Sequence, residues 1–299
     1  NGYYIFMKKV KTIVFPVGGL GTRFLPATKV TPKEMLPVAE KPLIQYAFEE
    51  ALDAGIERFI FITGRNKDSI ENHFDNAFEL QTVLKEKNKE EMINKAIGWL
   101  PKAGQIVFIR QQNPLGLGHA VLCAEKFVGN EPFVVSLADE MVYEDNNYVS
   151  RMVKLYEKEQ CNIIGIDELE NIEDVVKYGI VNVKDSPNKD FLEISDMLEK
   201  PSIKNAPSKF AIIGRYILQP EIFGLLSKAR VGVNNEIQLT DAMRVLMNTQ
   251  RFLGLKFKGE RFDCGNIVGY LDANISYALK NPDIKSSVET IIKKYSKSF

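Results

Sequence analysis

Four apolar runs in the first half of the chain constrain its fold more than any other feature: Thr12-Ile13-Val14-Phe15, Phe59-Ile60-Phe61-Ile62, Ile106-Val107-Phe108-Ile109 and Phe133-Val134-Val135-Ser136-Leu137. They are near-continuous rather than alternating, the pattern of strands buried on both faces and covered by crossover helices. Helical periodicity lies between them. Ile44, Ala47, Phe48, Ala51 and Leu52 follow at i, i+3, i+4, i+7 and i+8, with Pro42 fitting the first turn and Gly55 the stop. The charged stretch 67–98 and the segment 118–128 also read as helical. The alternation predicts an α/β fold with a Rossmann-like open mixed, mostly parallel sheet flanked by helices. Ligands of such sheets bind beyond the carboxyl ends of the strands. Loop 16–42, the loop after Arg110 and the loop after Leu137 are therefore expected to meet at one crevice.

From residue 160 the rhythm changes. Cys161–Ile166, Gly179–Val183, Phe191–Glu199, Phe210–Leu218 and Phe252–Lys258 read as strands. Helices are expected at 221–228, 239–249, 266–280 and 283–296, the second on the apolar face of Leu239, Ala242, Met243, Leu246 and Met247. The expectation is one domain over 7–299 whose second half adds an antiparallel substrate-binding lobe. Residues 1–6 precede Met7, a candidate start, and are expected to lie outside the fold.

Charge narrows the partners. Lys+Arg and Asp+Glu both number 39, and a chain of zero net charge is a poor candidate for non-specific nucleic-acid binding. No apolar run approaches the ~18–20 residues of a membrane span. The three cysteines, Cys123, Cys161 and Cys264, and two histidines, His73 and His119, form no metal-ligand spacing. Reduced thiols in a cytoplasmic protein are the expectation.

Directly after the first strand stands Gly18-Gly19-Leu20-Gly21-Thr22-Arg23. Glycines let backbone N–H groups approach phosphate without interference from Cβ. The segment is not a Walker loop, since G-x-x-x-x-G-K-[ST] is absent. It is not a dinucleotide fingerprint either, because Phe24 stands where a third glycine belongs and Pro26, Pro32 and Pro37 keep the chain irregular. It reads as a phosphate cradle of another kind, supplemented by Arg23 and Lys33; a structural turn with solvated charges is the alternative.

Phe15-Pro-Val-Gly-Gly-Leu-Gly-Thr-Arg-Phe-Leu-Pro-Ala-Thr-Lys29 with Pro32-Lys-Glu-Met-Leu-Pro37 resembles the signature of nucleotidyltransferases that make sugar nucleotides, in particular the bacterial UTP–glucose-1-phosphate uridylyltransferase family. The resemblance runs from about residue 9 to about residue 280. It takes in Arg110-Gln-Gln-Asn-Pro-Leu-Gly-Leu-Gly-His119, Leu137-Ala-Asp139, Lys177-Tyr-Gly179, Glu199-Lys-Pro201, Gly214-Arg-Tyr216, Asn234–Asp241 and Phe262-Asp-Cys-Gly265. One departure is Gly18, where the family usually carries alanine.

The resemblance implies formation of UDP-glucose and pyrophosphate from UTP and glucose 1-phosphate. Residues 9–145 would bind nucleotide, and 146–299 would bind sugar phosphate and mediate assembly into a homodimer or homotetramer. Gly18, Gly19, Gly21 and Thr22 would hold the nucleotide, and Gln111 and Gly116 would read uracil, the amide offering one donor and one acceptor. Arg23, Lys33 and Lys200 would carry catalysis. Gly179, Glu199 and Lys200 would hold the sugar phosphate. Asp139 and Asp263 would bind Mg2+, a metal suited to one or two carboxylates plus phosphate oxygens and water. Glu140 is expected to face away from its neighbour Asp139, and His119 to be structural. A sugar-1-phosphate thymidylyltransferase, a nucleotide-sugar-binding sensor or glycosyltransferase, and a non-catalytic regulatory homologue are the rival readings.

Overall fold

The computed structural model describes residues 8–184, 190–230 and 235–296. Residues 1–6, Met7 and Asn234 of the Asn234–Asp241 motif lie outside the described residues. In chain order, the first half contains β1 (Thr12–Pro16), the short β2 (Pro37–Val38) and β3 (Lys41–Pro42), α1 (Leu43–Asp53), β4 (Arg58–Thr63), α2 (Asp68–His73), α3 (Phe78–Glu86), α4 (Glu90–Ile97), β5 (Ile106–Arg110), α5 (Leu117–Leu122), α6 (Glu125–Val128), β6 (Phe133–Ser136) and β7 (Glu140–Tyr143). There follow α7 (Tyr148–Glu159), β8 (Asn162–Glu168), β9 (Gly179–Lys184), β10 (Phe191–Glu199), β11 (Phe210–Leu218), α8 (Ile222–Leu226), α9 (Leu239–Leu246), β12 (Phe252–Lys256), β13 (Glu260–Asp263), α10 (Ile267–Lys280) and α11 (Lys285–Ser296).

A nine-stranded sheet of order β5-β4-β1-β6-β11-β8-β12-β10-β9 runs through both halves. The first four strands are parallel, as their continuous apolar runs require. Beyond β6 the sheet is mixed: β11 is antiparallel to β6 and β8, β12 is parallel to β8, and β10 is antiparallel to β12 and β9. The later strands thus extend the same sheet, and the mostly parallel description holds only for its first part. Successive strand residues serve opposite faces. Val14, Ile60, Ile62 and Val135 pack under α5, α8 and α9. Ile13, Phe15, Phe59, Phe61 and Val134 pack under α1 and α7.

Several expectations change in detail. The 67–98 stretch is three helices, and 118–128 breaks into α5 and α6 at Cys123 and Ala124. The last predicted strand stops at Lys256. Helix α7 has no counterpart in the sequence reading, although Val149, Met152, Leu155 and Tyr156 line its buried face and Asn147 Oδ1 caps it by accepting from Ser150 N at 2.8 Å. The ribbon of β7 with β13 was equally hidden, because each strand is four residues long and its partner lies far along the chain.

Candidate active site

The glycine segment leaves β1 at the carboxyl edge of the sheet. Gly21 has φ +65°, a conformation that favours glycine, and a Cβ there would press to 3.3 Å on Lys33 Cβ and Thr28 Cβ. Thr28 Oγ1 donates to the Gly21 carbonyl at 2.7 Å and Phe24 N donates to the same oxygen at 3.1 Å, closing the loop upon itself. Further along, Glu34 turns inward and accepts from Lys67 Nζ at 2.7 Å, with both side chains buried. This pair anchors the turn that carries Lys33.

Lys33 Nζ donates to Asp139 Oδ2 at 2.5 Å. Burial alone would lower the ammonium pKa, but the charges of Asp139 and Glu34 outweigh it and hold the pKa above its ordinary value. Burial likewise opposes the charge on Asp139, and Lys33 reverses the balance, leaving that carboxyl below the usual range. Asp139 follows β6, whose end is held by Arg215: its guanidinium donates to the Leu137 carbonyl at 2.9 Å and to Glu50 on α1 at 2.9 Å.

Asp263 reaches the same place through the β13–β7 ribbon, in which it pairs with Glu140. Gly265 N donates to Asp263 Oδ1 at 2.9 Å, and Tyr178 OH to Asp263 Oδ2 at 3.4 Å. A Cβ on Gly265 would lie 2.8 Å from Asp263 Oδ1, 3.2 Å from Asp139 Oδ2 and 3.3 Å from Arg23 Nη1. Two carboxylates and a guanidinium therefore face one small space that only glycine leaves open. Among the described residues there is no cluster of three or more His, Cys, Asp or Glu that could hold a metal.

Glu140 corrects an expectation. It lines the same cavity as Asp139, since the chain bends into β7 between them. Burial raises its carboxyl pKa to about 8 against the pull of Arg261, with Asp263 and Asp139 adding to the rise.

On the opposite wall, Gly179 and Glu199 are direct cross-strand partners of β9 and β10. Thr240 Oγ1 donates to Glu199 Oε2 at 2.7 Å, and a Cβ on Gly179 would stand 3.2 Å from that oxygen and 3.0 Å from Ile212 Cδ1. Lys200 turns out of the strand at φ +42°, its N–H held by the Tyr178 carbonyl at 3.0 Å and its Nζ 3.7 Å from Glu199 Oε1.

At the far end, Gln111 N donates to the Thr63 carbonyl at 2.8 Å and the side chain is buried. Its Nε2 lies 3.2 Å from the Gly116 carbonyl and 2.9 Å from His119 Nδ1. The amide donors are thus engaged within the protein, contrary to the expectation of one free donor and one free acceptor. Oε1 faces Gly18, where a Cβ would approach it to 3.0 Å.

These walls enclose two cavities of about 470 and 460 Å³ that share Gly19, Gly21, Thr22, Lys33 and Asp139. The first also contains Arg23, Gly179, Glu199, Lys200 and Asp263, and the second Gly18, Gln111 and Gly116. Every sequence-predicted site residue is brought to this double cavity, and the three loops converge as expected. Sequence reasoning gave no role to Tyr178 and Thr240, although both lie in the segments Lys177–Gly179 and Asn234–Asp241 that carry the resemblance, and it missed the buried pair Glu34–Lys67.

The sequence matches the nucleotidyl transferase family over residues 11–280. It is 42% identical over 287 residues to a UTP–glucose-1-phosphate uridylyltransferase of Staphylococcus epidermidis, covering 96% of this chain and 99% of the relative. A Bacillus subtilis protein with the same function in its name is 44% identical over 294 residues, covering 97% and 98%. Among solved structures, a UTP-bound UGPase from Acinetobacter baumannii superposes with a TM-score of 0.87 at 40% identity, covering 95% of this chain and 98% of that one. A UDP-glucose pyrophosphorylase complexed with UDP-glucose gives 0.81 at 44% identity, covering 91% and 100%.

Proposed function

This chain belongs to the nucleotidyl transferase family, among the UTP–glucose-1-phosphate uridylyltransferases, and on that premise we propose that it forms UDP-glucose and pyrophosphate from UTP and α-D-glucose 1-phosphate. The observation that carries the reading is the double cavity: the Gln111 end opens past the glycine loop, Lys33 and the two aspartates to the Glu199 end.

The sugar phosphate is already an anion, so its attack on the α-phosphorus needs no general base. Positioning and charge stabilisation supply catalysis. Backbone N–H groups of Gly18, Gly19, Gly21 and Thr22, with Arg23, cradle the triphosphate. Lys33 neutralises charge at the α-phosphate and the departing pyrophosphate. Lys200 holds the attacking phosphate in line, while Glu199 accepts hydrogen bonds from sugar hydroxyls beside Gly179. Gln111 and Gly116 face the uracil.

The donor set fits magnesium. Asp139 and Asp263 are hard oxygen ligands facing the space at Gly265, and Asp139 Oδ2 already accepts a hydrogen bond from the cationic Lys33 ammonium there. Bound there, Mg2+ would neutralise charge on the transferring phosphate.

The division of labour follows the chain, nucleotide with residues 9–145 and sugar phosphate with 146–299. A homodimer or homotetramer would cover Ile267, Val268, Leu271 and Ile275, which α10 leaves exposed. The free thiols of Cys123, Cys161 and Cys264 support a reducing, cytoplasmic setting. No described helix is long and apolar enough to cross a membrane.

Pyrophosphate release across a panel of nucleotides and sugar phosphates tests the reading. UTP with glucose 1-phosphate is expected to be best, dTTP a detectable second, and CTP, ATP and GTP near background. Uracil and thymine share a hydrogen-bonding edge and differ by one methyl, whereas cytosine reverses that edge. Comparable use of ATP or CTP overturns the uracil assignment; dTTP as the best substrate favours the thymidylyltransferase.

A further inference from the structure

We infer that His119 is a positioning residue for base selection: its Nδ1 locks the Gln111 amide so that only a carbonyl oxygen is presented to the base. The inference rests on the proposed uracil site at Gln111 and adds what orients it.

The amide of Gln111 has two faces of opposite chemistry, and a rotation of about 180° exchanges them. One amide atom lies 3.2 Å from the Gly116 carbonyl oxygen. A carbonyl oxygen only accepts, so that atom must be the NH2 group. The same nitrogen lies 2.9 Å from His119 Nδ1. An NH2 group only donates, so Nδ1 must be the unprotonated ring nitrogen and the ring proton sits on Nε2. The two N–H bonds of Gln111 thus have two acceptors, both within the protein.

What remains for a ligand is Oε1. Among the described residues it has no hydrogen-bond donor, and it points to the side of Gly18, where the cavity lies. An acceptor matches uracil, whose N3 carries a proton, and opposes cytosine, whose N3 carries a lone pair. Rotation of the amide would reverse this preference. It would also set the Gln111 oxygen against the Gly116 oxygen, and against His119 Nδ1 unless the ring proton moved there from Nε2. His119 supplies the second of these two constraints and acts on the base only through Gln111, which makes it a positioning residue.

The test compares kcat/KM for UTP and CTP in wild type, His119→Phe, His119→Asn and Gln111→Ala. Phenylalanine keeps the ring without the acceptor; asparagine restores an acceptor near the Nδ1 position. Losing one net hydrogen bond predicts a fall of about tenfold in the UTP-to-CTP ratio for His119→Phe. The fall should appear in KM, with kcat at saturating UTP nearly unchanged, and His119→Asn should recover most of it. A folded His119→Phe with the wild-type ratio overturns the inference, as does an asparagine variant no better than phenylalanine. If Gln111→Ala also leaves the ratio unchanged, the uracil assignment itself fails; if it erodes the ratio and His119→Phe does not, only the role of His119 fails. Should the phenylalanine variant not fold, nitrogen NMR of the wild-type imidazole decides: Nδ1 unprotonated with the proton on Nε2 supports the lock, and a proton on Nδ1 overturns it.

Discussion

Lys33 and Asp139 lie 106 positions apart in the chain and meet through a 2.5 Å hydrogen bond between ammonium and carboxylate. The bond joins the glycine-rich loop to the end of β6, and Asp139 shares with Asp263 the space beside Gly265. The predicted magnesium site and the predicted phosphate cation are thus one electrostatic unit.

Asp139→Asn and Asp263→Asn should each lower turnover by about two to three decades, the several kcal/mol that charge neutralisation by a metal contributes. Circular dichroism should show the fold intact. EDTA should abolish wild-type activity and added magnesium restore it. Either variant turning over near normally in millimolar magnesium removes that residue from the ligand set.

Lys200→Ala should raise KM for glucose 1-phosphate by about 10–100-fold, the loss of a charge-assisted hydrogen bond, with a smaller effect on UTP. Arg23→Ala should weaken UTP more and slow turnover. Calorimetric titration of both ligands into both variants separates the two walls; equal losses throughout would undo the assignment.

Lys67→Met should cost about 3–5 kcal/mol of stability, because it strands the Glu34 carboxylate in the interior. Burial already raises the Glu34 pKa against the pull of Lys67 and Lys33. Urea denaturation of Lys67→Met, Glu34→Gln and the double variant forms the cycle, in which the double variant should be less damaged than Lys67→Met alone. Turnover should also fall, since the pair anchors the turn bearing Lys33.

His73 predicts a pH dependence of stability. Burial lowers its pKa, against the pull of Glu49; its Nε2 lies 3.0 Å from Gln45 Oε1 and its ring centroid 4.9 Å from that of Trp99. With the folded value below the unfolded one, its contribution is complete above about pH 6.5 and is lost as pH falls through the folded value. The melting temperature should drop from about pH 7.5 to about pH 5.5, and His73→Gln should flatten that part of the curve. An unchanged slope in the variant would show that other groups carry the effect.

Much of this protein was legible before any coordinates. The strands β1, β4, β5 and β6 follow from local apolar runs, and α1 and α9 from their periodicity, because burial on one or two faces leaves its mark within a few residues. The glycine-rich segment after β1 was legible as a candidate phosphate cradle because glycines let backbone N–H groups approach closely, but that Gly21 sits at φ +65° came only from the structure. Tertiary structure decided what lies between elements. It brought Asp263 to Asp139 through a ribbon of two four-residue strands, and it set Thr240 on Glu199. It also turned Glu140 toward the cavity. The Gln111 amide is the sharpest case: the sequence names a side chain that can donate or accept, and only the Gly116 carbonyl and His119 Nδ1 determine which face is left for a ligand. A residue's capacity to form a hydrogen bond is a property of its type, but its free direction depends on which neighbours have already consumed the other.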